Sequence, residues 1–246
     1  MDQTTIIWIA LLMGLAAALY SSVGHGGASA YLAIMALFAI GPETMRPTAL
    51  TLNLVVSAVA AVGFARLGQT NWRLLAAFAV TAVPAAFAGG LVQLPPELYR
   101  PLVGLVLIAA AIRLFWQPER MADRPVKAPS LAISLPAGAG LGLLAGLTGT
   151  GGGIFLSPLI ILFGWEEARK TSGVAAAFIF LNSAAGLLGN VAGVRALPAE
   201  LPILVGAVAA GALIGTWAGV WRLPRQRLLQ ALGLVLVIAG LKLLLQ

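Results

Sequence analysis

The chain has 246 residues, of which 60% are hydrophobic and only 9% are charged, and its formal net charge is +7. Soluble domains carry about 25% charged and about 45–50% apolar residues, so no soluble core could hide this much apolar surface. The composition therefore predicts a polytopic membrane protein and argues against a soluble enzyme.

Cysteine is absent and histidine occurs once. These counts exclude disulfides and thiolate metal sites and disfavour a histidine cluster, so we predict no metal site and no cofactor. The lysines and arginines stand scattered between apolar segments and form no basic patch interleaved with aromatic residues, which argues against nucleic acid as a partner. Because no basic region precedes the first apolar run, we expect no removable signal peptide.

Apolar segments bounded by charge, proline or glycine follow one another along the whole chain. They cover residues 5–20, 29–40, 48–65, 74–92, 101–116, 131–147, 154–164, 172–194, 201–220 and 228–245. Most have about the 17–25 residues that a membrane-spanning helix needs. Two of them, 29–40 and 154–164, have only about a dozen residues and would cross roughly half of the hydrocarbon layer. The pattern predicts an all-α fold.

Two glycine-dense polar tracts come directly before the two short segments. The first reads Ser22-Val23-Gly24-His25-Gly26-Gly27 and the second reads Thr148-Gly149-Thr150-Gly151-Gly152-Gly153. Unwound backbone inside a membrane must be buried in protein or line a water-filled cavity. Each tract leads into a helix N-terminus, whose free N–H groups and dipole favour an anion. We predict a substrate site for a small anion at Ser22, Gly24, His25, Gly26, Gly27, Thr148, Gly149, Thr150, Gly151 and Gly152; the alternative is that the glycines only allow close helix packing.

Other polar residues join this hypothesis. Asn53 and Asn182 lie in the segments that follow the short ones, and a side-chain amide is costly in lipid, so we assign them to substrate binding, with interhelical hydrogen bonding as the alternative. His25 could contact the ligand or be a buried neutral histidine. The same segments begin with residues that could attract anions to the mouths of a pathway or anchor helix ends: Arg46, Thr48, Arg169, Lys170 and Thr171.

The two halves of the chain resemble each other, which predicts repeats at 1–118 and 130–246 joined by a cytoplasmic loop at 119–129. Gly104-Leu105-Val106-Leu107-Ile108 recurs as Gly233-Leu234-Val235-Leu236-Val237. If each glycine tract is the tip of a re-entrant hairpin, eleven basic residues fall on one side of the membrane and four on the other. The positive-inside rule favours this arrangement. It gives two inverted repeats, each with a hairpin and three transmembrane helices, and places both termini in the periplasm.

No acidic residue lies in the middle of an apolar segment, which disfavours a proton or cation carrier built on an intramembrane carboxylate. No phosphate-binding loop is present, so ATP-driven transport would need another subunit. Ser21 or Ser22 with His25 suggests an intramembrane hydrolase as an alternative, but the glycine tract disfavours the geometry, and we predict that the protein is not an enzyme.

The tract Gly146-Leu147-Thr148-Gly149-Thr150-Gly151-Gly152-Gly153, followed by Phe155, Pro158 and Arg169-Lys170-Thr171, resembles the TauE/SafE sulfite exporter family. The resemblance covers nearly the whole chain and implies transport of sulfur oxyanions or organosulfonates across the bacterial inner membrane. We therefore expect a secondary transporter of sulfite, thiosulfate or an organosulfonate that works by alternating access. The alternative is a carrier or channel for another small anion, such as a carboxylate. The expected partners are the anion and the lipid bilayer; the coupling ion, the direction of transport and a homo-oligomeric state stay open.

Overall fold

The computed structural model describes residues 3–22, 24–115, 126–220 and 226–245. Throughout these residues the regular structure is helical, and no strand occurs in them. The helices are α1 (Gln3–Ser21), α2 (Ala28–Leu37), α3 (Pro42–Arg66), α4 (Trp72–Leu91), α5 (Pro96–Phe115), α6 (Leu131–Thr148), α7 (Gly153–Leu162), α8 (Ala168–Gly189), α9 (Leu201–Val220) and α10 (Gln226–Leu245). Among the described residues, α1, α3, α4, α6 and α8 are long and apolar enough to cross a membrane.

Every predicted apolar segment falls on a helix, but several bounds differ. Helix α3 begins at Pro42 and α5 begins at Pro96, before the apolar runs, because a proline is well tolerated in the first helical turn. The predicted run 172–194 is too long: α8 ends at Gly189, and a 3-10 helix follows at Val191–Ala196. Most of the predicted loop 119–129 lies outside the described residues.

Each of the two short helices returns to the end of the fold at which the preceding helix starts. Ala39 and Ile40, just after α2, line one cavity together with Ile6 and Ile9 from the first turns of α1. After α7, the carbonyl of Gly164 accepts a hydrogen bond from the N–H of Lys127, which precedes α6, at 3.0 Å. The chain therefore forms a first hairpin, α1–α2, and a second hairpin, α6–α7.

Helices α3 and α8 form an antiparallel pair at the centre of the fold. Leu50 contacts Gly186, and further along both helices Asn53 bonds Ser183. Still further along, Phe64 of α3 packs in one cluster with Ala176 of α8, as expected for an antiparallel pair. Because α2 ends beside the start of α3 and α7 ends beside the start of α8, the two hairpins enter this pair from opposite ends.

Glycines allow the outer helices to pack closely around this pair. Gly138, Gly142 and Gly146 of α6 lie directly against backbone carbonyls of α4, and Gly211 and Gly215 of α9 lie in the same way against α1. The helices run parallel in both pairs, α4 with α6 and α1 with α9. In each pair, the first helix of a hairpin packs against a helix from the other half of the chain. Helices α5 and α10 instead run antiparallel, since Gly104 contacts Gly240 and Gly233 contacts Phe115. Such close approaches by small residues are the usual basis of helix association in membranes.

Candidate functional site

The tips of the two hairpins meet at Asn53, near the middle of α3. A side chain placed on Gly26 would collide with Asn53 Oδ1, and one placed on Gly151 would lie 2.5 Å from Asn53 Nδ2. A β-carbon on either glycine would also lie close to Cγ2 of Ile179, near the middle of α8, at 3.0 Å from position 26 and 2.9 Å from position 151. The two tracts, far apart in sequence, therefore line one place in the fold.

Asn53 connects the second tip to α8 by hydrogen bonds at this junction. Its side chain is fully buried, and Nδ2 donates to the carbonyl of Thr150 at 3.3 Å and to Ser183 Oγ at 3.2 Å. Its Oδ1 is buried and accepts no hydrogen bond. A buried amide oxygen without a donor is costly, so the junction has spare capacity to accept a hydrogen bond.

The tip of the first hairpin is held partly by its own helix. The N–H of His25 donates to the carbonyl of Tyr20 at 2.9 Å, and the two rings lie edge to face with centroids 6.3 Å apart. His25 is 9% exposed. The backbone of Gly24 packs against Ser172 at the start of α8. Val23, within this tract, lies outside the described residues.

The tip of the second hairpin is held by hydroxyl groups and by the first half of the chain. Thr148 Oγ1 lies 2.9 Å from Thr150 Oγ1 and donates to the carbonyl of Leu144 at 2.7 Å. The carbonyl of Thr148 accepts a hydrogen bond from Tyr99 Oη at 3.0 Å, and Gly149 packs against Arg46. Both threonines are buried.

Each short helix begins at its tip with a glycine in the left-handed region. The N-cap residues are Gly27 and Gly152, with φ of 89° and 74°. Other residues rarely adopt this conformation, which explains why glycine is needed there. The N–H groups of Gly26, Gly27, Gly151 and Gly152 make no hydrogen bond to any other residue that the structure describes. Together with the first N–H groups of α2 and α7, they give the junction an excess of donors and the positive ends of two helix dipoles.

Three of the remaining predicted residues, Asn182, Thr171 and Ser22, donate hydrogen bonds to nearby backbone carbonyls. Asn182 Nδ2 donates to the carbonyl of Phe178 at 2.9 Å within α8, and Thr171 Oγ1 donates to the carbonyl of Glu167 at 2.9 Å. Ser22 Oγ donates to the carbonyl of Leu19 at 2.6 Å. Thr171 lies in the first turn of α8, next to Ser172, against which Gly24 of the first tip packs, and its hydroxyl bonds backbone of its own helix. Arg169 is exposed there, and Lys170 is half-buried.

Arg46 is buried and bonds the end of α4. Its Nη1 donates to the carbonyl of Val92 at 2.7 Å, and its Nη2 donates to the carbonyls of Gly89 and Gly90 at 2.6 and 2.9 Å. Thr48, close by in the same helix, is also buried, and its Oγ1 has no partner. A cation suits the negative end of a helix dipole, so Arg46 stabilises the C-terminus of α4.

Two residues that contact the tips were not predicted from the sequence. Ser183 follows Asn182 directly and carries the hydroxyl that Asn53 bonds, but a serine in an apolar helix usually bonds its own backbone. Tyr99 lies in the first turn of α5, where no local pattern distinguishes it from an interfacial tyrosine. A three-dimensional arrangement was needed to find both.

These features define a polytopic helical membrane protein whose two half-length helices face each other across a central polar junction. The model of the family described as "Sulfite exporter TauE/SafE" matches residues 9–243, and the chain belongs to that family. The resemblance drawn from the glycine tract is thus confirmed.

Two relatives cover almost the whole chain. It is 40% identical over 245 residues to "Probable membrane transporter protein y4hK" of Sinorhizobium fredii, spanning 98% of this chain and 99% of that protein. It is 27% identical over 252 residues to "Probable membrane transporter protein YjnA" of Bacillus subtilis, spanning 95% and 98%. The family and both names indicate a membrane transporter. No solved structure matches the chain significantly.

Proposed function

We propose that this protein is a secondary transporter that carries a small sulfur-containing anion across the bacterial inner membrane by alternating access. The anion binds between the two hairpin tips. The observation that carries this proposal is the meeting of Gly26 and Gly151 at Asn53. Each of these glycines directly precedes the N-cap glycine of a short helix, so the positive ends of two helices lie close to one buried place. The family name supplies the sulfur anion as substrate class.

Inverted repeats are part of the same proposal. In that scheme α3 corresponds to α8 and α5 to α10, and corresponding helices must cross the membrane in opposite directions. Both pairs run antiparallel, which supports the scheme. The short helices α2 and α7 each have 10 residues, which supports their equivalence in two repeats that we place at 1–118 and 130–246. The positive-inside bias then puts the connecting loop in the cytoplasm and both termini in the periplasm.

The opposite entry of the two hairpins supports alternating access. The first hairpin enters from the end where α3 starts and the second from the end where α8 starts, so each closes the pathway from one side. A movement of either tip away from Asn53 would open the junction towards one face while the other tip keeps it closed. Asn53 bonds the tip of the second hairpin through the Thr150 carbonyl, so this bond must change during the cycle.

Donor chemistry fits an oxyanion but selects the substrate only in part. Backbone N–H groups at the two tips can bind several oxygens of sulfite, thiosulfate or a sulfonate. A carboxylate presents two oxygens to the same donors, which keeps a carboxylate carrier as the second candidate.

Flux into proteoliposomes tests the proposed function. Purified protein is reconstituted alone, and uptake of labelled sulfite, thiosulfate, ethanesulfonate and acetate is compared with protein-free liposomes. We expect saturable flux of at least one sulfur anion. Flux of acetate alone would favour the carboxylate carrier, and absence of flux for all four anions would contradict a transporter of small anions that works without a partner subunit.

A further inference from the structure

A cavity of about 380 Å³ that several polar side chains line lies at the end of the fold where α3 starts. Its walls come from the starts of α3 and α5, the α4–α5 connection and the segment after α8. The lining includes Glu43, Arg46, Gln93, Tyr99, Asn190 and Ala192. Gln93 Nε2 donates to Asn190 Oδ1 at 2.9 Å and links two of the walls.

Two lining residues connect this cavity to the second hairpin. Tyr99 Oη bonds the carbonyl of Thr148, and Arg46 packs against Gly149. Both Thr148 and Gly149 belong to the glycine tract that forms the tip. A chain of hydrogen bonds through Thr148 and Thr150 therefore links the cavity to Asn53 at the junction.

The charge of Arg46 has no acidic partner. Its guanidinium is buried, with the residue 4% exposed, and its hydrogen bonds all go to neutral carbonyl oxygens. Its Nε is buried without any partner. No carboxylate forms an ion pair with it in the described part of the chain. Glu43 also lines the cavity, but it is exposed, so water screens its charge.

We propose that this outer cavity is a staging site where the transported oxyanion pairs with Arg46 before it passes Tyr99 to the junction between the tips. A buried cation that has carbonyl oxygens but no carboxylate as partners is stabilised further by an anion that comes close to it. The hydrogen bond of Tyr99 to Thr148 closes the inner side of the cavity. This inference rests on the proposed function, since it gives the same anion a second site.

The absence of cysteine allows a direct test of the cavity's charge. Ala192 lines the cavity, whereas Ala199 is exposed at the same end and does not line it. Ala192→Cys and Ala199→Cys are each purified and labelled with methanethiosulfonate reagents that differ only in bearing a sulfonate or a trimethylammonium group. We expect the rate ratio of anionic to cationic reagent to be about tenfold higher at position 192, the size of effect that a nearby, partly screened unit charge gives.

Variants of Arg46 test whether its side chain causes the higher rate ratio of anionic to cationic reagent at position 192. In the Ala192→Cys background, Arg46→Gln keeps an amide donor for the α4 carbonyls but removes the charge, and we expect the ratio to fall to that of Ala199→Cys. Arg46→Lys keeps the charge and should restore it. Ethanesulfonate, which does not react with the reagents, should slow labelling at position 192 and leave position 199 unaffected.

Transport kinetics give a second readout. Arg46→Gln should raise KM for labelled sulfite about tenfold with a smaller change in kcat, and Arg46→Lys should stay close to the wild type. A rate ratio that does not depend on Arg46, or equal losses of kcat in both variants without a change in KM, would overturn the staging site and leave Arg46 as a helix cap. If the wild type moves no anion, the proposed function fails by that result, while the labelling ratio still decides whether the cavity attracts anions.

Discussion

The two hairpins share a plan but differ in what holds their tips. Both short helices have 10 residues, start at a glycine N-cap and end in the same turn, in which Ile40 N–H bonds the Met35 carbonyl and Trp165 N–H bonds the Ile160 carbonyl, each at 2.9 Å. At the second tip, the carbonyls of Thr150 and Thr148 accept hydrogen bonds from Asn53 and Tyr99, which belong to the first half of the chain.

At the first tip, His25 stands at the position that Thr150 holds in the second tip. The N–H of His25 bonds the Tyr20 carbonyl within the same hairpin, and Gly24 packs against the start of α8. The two hairpins therefore share their backbone conformation but carry different side chains at their tips. We infer that the backbone N–H groups supply the anion-binding character at both tips, while His25 and Thr150 make the two faces of the site unequal.

The largest effect is expected where both tips meet. Gly151→Ala puts a methyl group against Asn53 and Ser183 at a φ of 72°, so the tip must move. We expect a loss of about 10²-fold in the initial rate of sulfite uptake, the scale of a displacement of about 1 Å in a binding site. Gly140→Ala is the matched control on α6, because nothing lies within 4 Å of its added carbon. Similar uptake by both variants would contradict the role of the tips.

Asn53→Ala should have the next largest effect. It removes the bonds to the Thr150 carbonyl and to Ser183 Oγ, and it leaves a void between the tips. We expect about 1–3 kcal/mol of lost stability, the cost of broken buried hydrogen bonds, and a large fall in uptake. Ser183→Ala removes only one of these bonds and serves as the comparison. Unfolding of both variants in denaturant, followed by tryptophan fluorescence, measures the stability; equal stability in the two would contradict the tie to the second tip.

Much of this architecture could be predicted from the sequence, because the length of an apolar segment indicates whether a helix can span the membrane and a glycine tract indicates where a helix is interrupted. The short segments 29–40 and 154–164 indicated α2 and α7, and the tracts before them indicated the tips. Sequence could not show that Asn53, rather than Asn182, reaches both tips, since this depends on the rotation of α3 and α8 about their axes. It also missed Tyr99, whose contact with Thr148 depends on how α5 packs.

Tyr99→Phe tests whether the two tips differ in their external support. The change removes one hydrogen bond to the Thr148 carbonyl and keeps the ring, so the expected cost is about 0.5–1.5 kcal/mol. A cysteine at position 150 should then react faster with a thiol reagent, while a cysteine at position 25 in the same background should not change. An equal increase at both positions would show that Tyr99 supports the whole junction rather than the second tip.

The smallest effect concerns the turns that end α2 and α7. Ala39 has a φ of 56°, and the residue at the matching place after α7 is Gly164, with a φ of 65°. An alanine in this region is strained, so Ala39→Gly should raise the free energy of unfolding by about 0.5–1 kcal/mol, and Gly164→Ala should lower it by a similar amount. Denaturant unfolding in detergent measures both. Shifts of the same sign would contradict equivalent turns in the two hairpins.

Equilibrium binding of labelled sulfite to the purified protein tests the central claim most directly, because it separates the site from the transport cycle. Scintillation proximity counting is carried out on the wild type, Gly26→Ala, Gly151→Ala and the control Gly140→Ala. We predict saturable binding to the wild type and the control, and a loss of binding in each tip variant, because both tips contribute donors to one site. Binding that persists in both tip variants would contradict an anion site between the hairpins.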